Sequence, residues 1–225
     1  MKTLLIIQSR MESKRLPNKS LFPINKIPLV VLVAKRVKSK KYKTIVATTT
    51  RESDDDLCKI LKKNKINFFR GSSNNVRKRF LECSKNYSDE DIIVRLTADN
   101  CFPDNRLVES VLSEIDDKTK YIFINNKISK VPYGLSVEAF KLGYLRNIKN
   151  KDSNSIEHVT WNFKKGKQYN YLSKINMGNL RCTIDTVDDY LQVAKAFKNV
   201  NNPIKISWKK LCKNLYNNNL KKNNF

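Results

Sequence analysis

Lys2-Thr3-Leu4-Leu5-Ile6-Ile7 passes straight into Gln8-Ser9-Arg10-Met11-Glu12-Ser13-Lys14-Arg15-Leu16-Pro17-Asn18-Lys19. A continuous apolar run closed by a polar loop is the pattern of a strand buried on both faces in a parallel sheet. The start carries a basic residue and a short apolar stretch, but no small-residue cleavage site follows. The segment therefore reads as a strand and not as a signal peptide. In open parallel sheets ligands bind beyond the carboxyl ends of the strands. This first strand end carries four cations (Arg10, Lys14, Arg15 and Lys19) among hydroxyl and amide side chains.

Outward from that stretch, strand-like and helix-like segments alternate. Pro28 to Lys38 reads as a helix opened by a proline in its first turn, and Thr44 to Thr49 as a β-branched strand. Ser53 is placed to cap a helix running to about Asn64, with Asp54, Asp55 and Asp56 at its positive end. Asn67 to Arg70 is a third strand, and Ser72 or Ser73 begins a helix to about Tyr87. Asp91 to Thr97 is a fourth strand, Asn105 to Ile115 a helix, and Tyr121 to Asn125 a fifth strand. Such alternation predicts an α/β fold with a mostly parallel sheet covered by helices on both faces. Further on, Leu135 to Phe140 and Tyr169 to Asn176 read as strands, and Ser155 to Lys165 and Val187 to Asn199 as helices. One domain over residues 1–213 is expected, followed by a frayed polar tail over 214–225, where Asn and Lys dominate.

Composition narrows the functional classes. The 225 residues, 40% hydrophobic, suffice for one full-sized core. No apolar run is long enough to span a bilayer. Five scattered cysteines without a C-x-x-C pair give neither a zinc site nor a disulfide framework, and they suit the cytoplasm. The formal net charge of +24 fits a polyanion partner. However, the cations are spread over every expected element instead of forming an arm or stripe, so nucleic acid is not the expected partner.

Two other segments place carboxylates where the first strand end places cations. Arg95-Leu96-Thr97-Ala98-Asp99-Asn100 closes the fourth strand, and Arg181-Cys182-Thr183-Ile184-Asp185-Thr186 precedes a helix. Cations facing carboxylates describe a phosphate–metal site, because magnesium takes one or two carboxylates together with waters and phosphate oxygens. Taken singly, the same residues read as a solvated loop and as helix caps. The chain has neither G-x-x-x-x-G-K-[ST] nor G-x-G-x-x-G, which argues against a P-loop NTPase and a dinucleotide-binding domain. The single histidine, His158, makes a histidine-based hydrolase triad a poor fit, while Glu157-His158 could edge a site.

Gln8-Ser9-Arg10-Met11, Ser13, Arg15-Leu16-Pro17 and Lys19 resemble the Q-A-R-M-G-S-x-R-L-P-G-K motif of cytidylyltransferases of the spore-coat polysaccharide type. These are relatives of the acylneuraminate and 3-deoxy-manno-octulosonate cytidylyltransferases. Val46-Ala47-Thr48-Thr49, Phe69-Arg70-Gly71-Ser72 and Arg95, Thr97, Asp99 with Asn100 continue the resemblance. So do Gly134-Leu135 with Val137-Glu138 and Phe140, Glu157-His158-Val159-Thr160, and Thr183-Ile184-Asp185-Thr186. The matches run in family order over nearly the whole chain.

The resemblance implies a three-layer α/β/α nucleotide-diphospho-sugar transferase fold. It also implies CMP transfer from CTP, with Mg2+, to a sugar acid, sugar phosphate or similar small acidic acceptor, with release of pyrophosphate. Arg10, Arg15, Lys19 and Asp99 would form the catalytic set, and Asp99 and Asp185 would hold the metal. Gln8, Ser9, Arg10, Met11, Ser13, Arg15, Lys19, Arg70, Ser72, Asn75 and Thr97 would hold the nucleotide, and Glu138 and His158 the acceptor. Relatives are often dimers, so a homodimer is among the expected states.

The departures fall on glycines and acids. Glu12, Asn18 and Ala98 replace glycines of the family pattern, and Ser136 an aspartate. Asparagine tolerates a positive φ, whereas Glu12 brings a carboxylate that either pairs with Arg10 or Arg15 or points outward as an ordinary surface-loop residue. Two other readings are a polyanion-binding module and a catalytically retired relative acting as a subunit.

Overall fold

In the computed structural model, which describes residues 1–148, 158–163 and 165–220, β1 (Thr3–Gln8) buries Leu4, Leu5, Ile6 and Ile7 completely. A strand does this when both its neighbours and both its faces are occupied. Its neighbours are β4 (Lys43–Thr49) and β6 (Ile92–Thr97), both parallel to it. β5 (Phe68–Gly71) adds to β4, again parallel. Beyond β6 the sheet continues through β8 (Glu138–Lys141), β7 (Tyr121–Phe123) and β9 (Lys167–Gln168). The order is β5-β4-β1-β6-β8-β7-β9. Only β8 runs against the others.

Gln8 is in register with both Ala47 and Thr97, so the carboxyl ends of β1, β4 and β6 finish level with one another. The loops that leave them therefore share one edge of the sheet. A small hairpin, β2 (Pro23–Ile24) and β3 (Ile27–Pro28), turns through Asn25 and Lys26, both at positive φ. Two central residues at positive φ match the twist of paired strands, but Asn-Lys carries no strong turn signature and the sequence reading did not include this hairpin.

Alternate residues of β1 feed two cores. Leu5 and Ile7 pack with α1 (Leu29–Arg36), α2 (Asp55–Lys63) and α4 (Asn105–Leu112), together with α6 (Val187–Ala196) and α7 (Trp208–Leu220). Leu4 and Ile6 pack with α3 (Val76–Cys83) and α5 (Leu142–Arg146) on the opposite face. The result is the expected α/β/α arrangement of three layers. Among the described residues no helix is long and apolar enough to cross a membrane.

Several local expectations are corrected. Ser53 does not cap α2; its hydroxyl donates to Glu12 Oε1 at 3.1 Å, and a short 3-10 turn over Glu52–Asp54 leads into the helix. The helix after β5 starts at Val76 and not at Ser72 or Ser73, because Asn75 caps it by accepting from the Lys78 amide at 2.7 Å. Tyr169 to Asn176 is not a strand. Its alternation reflects Tyr169 and Ser173 burying their side chains, while backbone bonds reach only Phe123 and Ser129. From Asn214 the expected tail stays helical to Leu220, since Leu215 is fully buried and Asn214 Nδ2 donates to the Ala196 carbonyl at 3.0 Å. The helix expected over Ser155–Lys165 lies partly outside the described residues; Trp161 and Phe163 within it make turn bonds back to His158 and Thr160.

Candidate functional site

The loop after β1 folds back over the level strand ends because its backbone closes on itself. The Met11 carbonyl accepts from the amides of Ser13 and Asn18, each at 3.0 Å. Asn18 sits at φ 60°, in the left-handed region, and leads into a 3-10 turn over Lys19–Leu21. Ser20 Oγ lies 2.9 Å from Ser9 Oγ and donates to the Arg10 carbonyl at 3.2 Å. Asp54 pins the loop from β4: its carboxylate accepts from the Met11 amide, both threonine hydroxyls of Thr48 and Thr49, and the Thr49 amide.

This fold delivers Lys19 to two carboxylates from distant parts of the chain. Its ammonium donates to Asp99 Oδ2 at 2.8 Å, Asp185 Oδ1 at 3.0 Å and the Ile184 carbonyl at 2.6 Å. Arg15 and Arg181 reach Asp185 Oδ2 at 3.0 and 3.1 Å. Burial alone would push the Asp185 carboxyl up. The Lys19 bond and the charges of Lys19, Arg15 and Arg181 outweigh burial and hold it below the usual carboxylate range. Asp185 is held in turn by Asp189, whose carboxylate accepts its amide and closes a capping box with Thr186.

Two cavities of about 340 Å³ each meet at these carboxylates. The first has a cationic wall of Arg10, Lys14, Arg15 and Lys19, with Ser9 and Ser13 beside it. The second is lined mainly by neutral polar groups, among them Asn100, Asn126, Tyr133 and Ser136. Gln8, Thr97, Asp99, His158 and Asp185 line both. The structure thus brings together Gln8, Ser9, Arg10, Ser13, Arg15, Lys19, Thr97, Asp99, His158 and Asp185.

Other expected site residues line neither cavity. Met11 is 7% exposed, turned into the core. Arg70 pairs with Asp55 at 2.6 Å and donates to the carbonyls of Thr49 and Arg51. Ser72 accepts from the Asn75 amide at 3.1 Å, and Asn75 caps α3. Glu138 lines neither cavity. It forms a closed cluster with Arg95, Tyr121 (2.7 Å) and Thr160 (3.0 Å). Burial would raise its carboxyl, but the charge of Arg95 and these hydrogen bonds keep it low. Arg95, not Glu138, reaches the second cavity. Glu12 departs from its expected partners and pairs with Arg51. Glu157 lies outside the described residues.

Sequence reasoning missed Asp54, Arg181 and Arg51. Asp54 had a signal, since two hydroxyls precede it at Thr48-Thr49; Arg181 stacks over Tyr133 at 5.0 Å, a pairing that no local pattern shows. Among the described residues no group of three or more His, Cys, Asp or Glu side chains stands together. The two carboxylates nevertheless converge on one cationic atom, the Lys19 ammonium. A pair of convergent carboxylates fits magnesium when phosphate oxygens and water supply the remaining ligands. A cationic wall, a cation-binding carboxylate pair and a second polar cavity suit the handling of a polyphosphate next to another small molecule.

Comparison with known proteins agrees in outline. A family described as Cytidylyltransferase matches residues 4–218. The spore coat polysaccharide biosynthesis protein SpsF of Bacillus subtilis is 28% identical over 211 residues, covering 87% of this chain and 86% of that one. A cytidylyltransferase structure from Leptospira borgpetersenii serovar Hardjo-bovis superposes with a TM-score of 0.86 at 28% identity, covering 98% of this chain and 96% of the other. A CMP:2-keto-3-deoxy-manno-octonic acid synthetase complexed with CTP shares the fold at a TM-score of 0.61 and 15% identity, over 86% and 97% of the two chains.

Proposed function

The chain belongs to the cytidylyltransferase family, and on that premise we propose that it is a nucleotidyltransferase of the spore-coat and CMP-sugar synthetase type, which transfers CMP from CTP to a small acidic sugar-type acceptor in the cytoplasm, releasing pyrophosphate. The observation that carries this reading is the junction of the two cavities at Asp99 and Asp185, with cations on one side and neutral polar groups on the other. The CTP complex of the octonic acid synthetase neighbour supports the choice of nucleotide.

The residues divide the work as follows. Arg10, Arg15 and Lys19 take the phosphate oxygens through charge-assisted bonds. Asp99 and Asp185 would hold magnesium, which when bound supplies neutralising charge at the phosphates. Lys19 pairs with both carboxylates, and its ammonium would turn to the phosphate oxygens where Asp99 and Asp185 hold magnesium. The acceptor lies in the second cavity, near His158 and Ser136. Its oxygen attacks the α-phosphorus in line, the bond to the β-phosphate oxygen breaks, and pyrophosphate leaves along the cationic wall. Catalysis is then mainly positioning and charge stabilisation.

The test is to incubate the purified protein with each nucleoside triphosphate, magnesium and a panel of sugar acids and sugar phosphates, following pyrophosphate. Release with CTP and one acceptor class is expected. No release with any pair would overturn the reading in favour of a retired relative. Salt-sensitive polyanion binding without need of Asp99 would favour a binding module.

A further inference from the structure

Glu12, beside Arg10 in the lining of the first cavity, belongs to a polar partition. It pairs through Oε2 with Arg51 Nη1, while Ser53 Oγ donates to Glu12 Oε1 at 3.1 Å. Arg51 Nη2 donates to Asn74 Oδ1 at 2.9 Å, so the loops after β1, β4 and β5 are joined through one guanidinium. Arg70 fixes the base of this arrangement by donating to the Arg51 carbonyl at 2.7 Å. Behind the partition, the recess lined by Arg10, Thr49, Asp54 and Ser73 holds only about 10 Å³, the space of a single water. The partition is therefore backed by protein and presents itself outward, with Glu12 and Arg51 49% and 45% exposed.

An ion pair this exposed adds little to stability, but its hydrogen-bonding pattern is directional. The carboxylate only accepts; the guanidinium beside it only donates, from several N–H groups in a fixed plane. Topology determines which part of a nucleotide meets it. β6 lies on one side of β1 and carries Asp99 and the second cavity; β4 and β5 lie on the other side and carry the partition. A nucleotide whose reacting phosphate sits at Asp99 and Asp185, with its acceptor in the second cavity, has the β4–β5 side left for its base.

We infer that Glu12 and Arg51 read the pairing edge of the base and select an amino-pyrimidine over an oxo-pyrimidine. Cytosine offers an amino donor followed by two acceptors, the ring nitrogen and the carbonyl, which complements a carboxylate followed by guanidinium donors. Uracil sets a carbonyl oxygen where cytosine has its amino group. That oxygen would face the Glu12 carboxylate, acceptor against acceptor. Arg51 serves the ring carbonyl that both bases share, and its further donor suits the bare ring nitrogen of cytosine but opposes the ring N–H of uracil. This rests on the nucleotidyl-transfer reading and assigns its base specificity to a residue standing at a family glycine.

Calorimetric titration of the full chain with CTP and with UTP, each with magnesium, tests it without any acceptor. The wild type should prefer CTP by at least about tenfold, the scale of one discriminating base contact. Glu12→Gln, whose amide both donates and accepts, should shrink that preference to within about threefold. Arg51→Gln should weaken CTP more than UTP and so lower the ratio as well, because its guanidinium donors suit the bare ring nitrogen of cytosine and oppose the ring N–H of uracil. Circular dichroism checks that each variant is folded. An unchanged CTP/UTP ratio in Glu12→Gln overturns the base assignment alone. A wild type that binds neither nucleotide removes the nucleotidyl-transfer reading and this inference with it.

Discussion

Asp54 and Asp185 are both aspartates at the edge where strands end and helices begin, yet their surroundings are opposite in kind. Asp54 is 1% exposed and satisfied by neutral donors: the Met11 amide at 2.7 Å, Thr48 Oγ1 at 2.7 Å, the Thr49 amide at 2.9 Å and Thr49 Oγ1. Asp185 is satisfied by three cations on separate parts of the chain: Lys19, Arg15 and Arg181. Backbone amides and short threonine hydroxyls cannot be handed to a ligand, whereas cations on long side chains can swing to a phosphate. The contrast separates a carboxylate that holds the fold from one that can exchange partners.

The strongest way to break this contrast is to neutralise the exchangeable pair. Asp185→Asn and Asp99→Asn are each expected to lower turnover by at least about a thousandfold, several kcal/mol of charge stabilisation. The melting temperature should stay within a few degrees, since in either variant Lys19 keeps the other carboxylate and the Ile184 carbonyl as partners. Near-normal pyrophosphate release by either variant, with magnesium present, would remove the metal assignment.

Asp54→Ala should do the reverse, acting first on stability. It leaves the Met11 and Thr49 amides and two hydroxyls without their acceptor, which should cost about 3 kcal/mol in denaturant unfolding. Acid sharpens the point. Burial pushes the Asp54 carboxyl up, but the bonds from Thr49, Met11 and Thr48 hold its folded-state value below the ordinary 3.8. A depressed folded value means that its stabilisation is complete above 3.8 and drains away as pH falls through the lower folded value. Wild type should therefore lose stability over that acid window faster than Asp54→Asn, measured by unfolding at a series of pH values. Parallel curves would show that Asp54 is not ionised in the fold.

Cations on the facing wall should divide in the same manner, with smaller effects. Lys19 is 12% exposed and bonded to both carboxylates, whereas Arg15 is 64% exposed. Lys19→Ala is expected to weaken CTP binding by about a hundredfold and also to cost the fold, because it leaves two carboxylates facing each other. Arg15→Ala should weaken CTP binding by about tenfold with little change in unfolding, as a charge-assisted phosphate contact on an exposed side chain. Calorimetry with CTP and magnesium, run beside denaturant unfolding, separates the two. Unchanged affinity in both variants would return the loop to a solvated role.

The sheet was legible because its strands advertise themselves: Leu4 to Ile7 and Ile92 to Val94 are apolar runs that only a two-sided burial explains. The cleft was legible where motif and strand end coincide, at Arg10, Arg15, Lys19, Asp99 and Asp185. What stayed hidden depends on partners far apart in the chain. The family resemblance puts Glu138 on the acceptor side, and nothing near it in sequence announces Arg95, 43 positions away. Glu12 was assigned to the nearest cations, yet Arg51 lies 39 positions on, brought close by the parallel pairing of β1 with β4. The Asn- and Lys-rich end masked Leu215, a single fully buried residue that keeps its helix docked.

The smallest effect concerns Asn18, which sets Lys19 in place and so decides which side of the contrast that cation joins. At φ 60° its backbone stands where residues with a Cβ are disfavoured, asparagine less than most. Its amide donates to the Met11 carbonyl and its own carbonyl accepts from Leu21, so the turn cannot relax without losing both bonds. Asn18→Ala should destabilise the protein by about 1 kcal/mol, the cost of a left-handed alanine. Asn18→Gly should stay within about 0.5 kcal/mol of wild type, because relief of the Cβ clash offsets the greater freedom of the unfolded chain. The informative measurement is CTP affinity in the same two variants. If the turn serves mainly to aim Lys19, Asn18→Ala should lose affinity beyond its loss of stability, while Asn18→Gly keeps it. Equal affinities in all three proteins would mean that Lys19 finds Asp99 and Asp185 without help from the turn, and that the two carboxylates do the positioning.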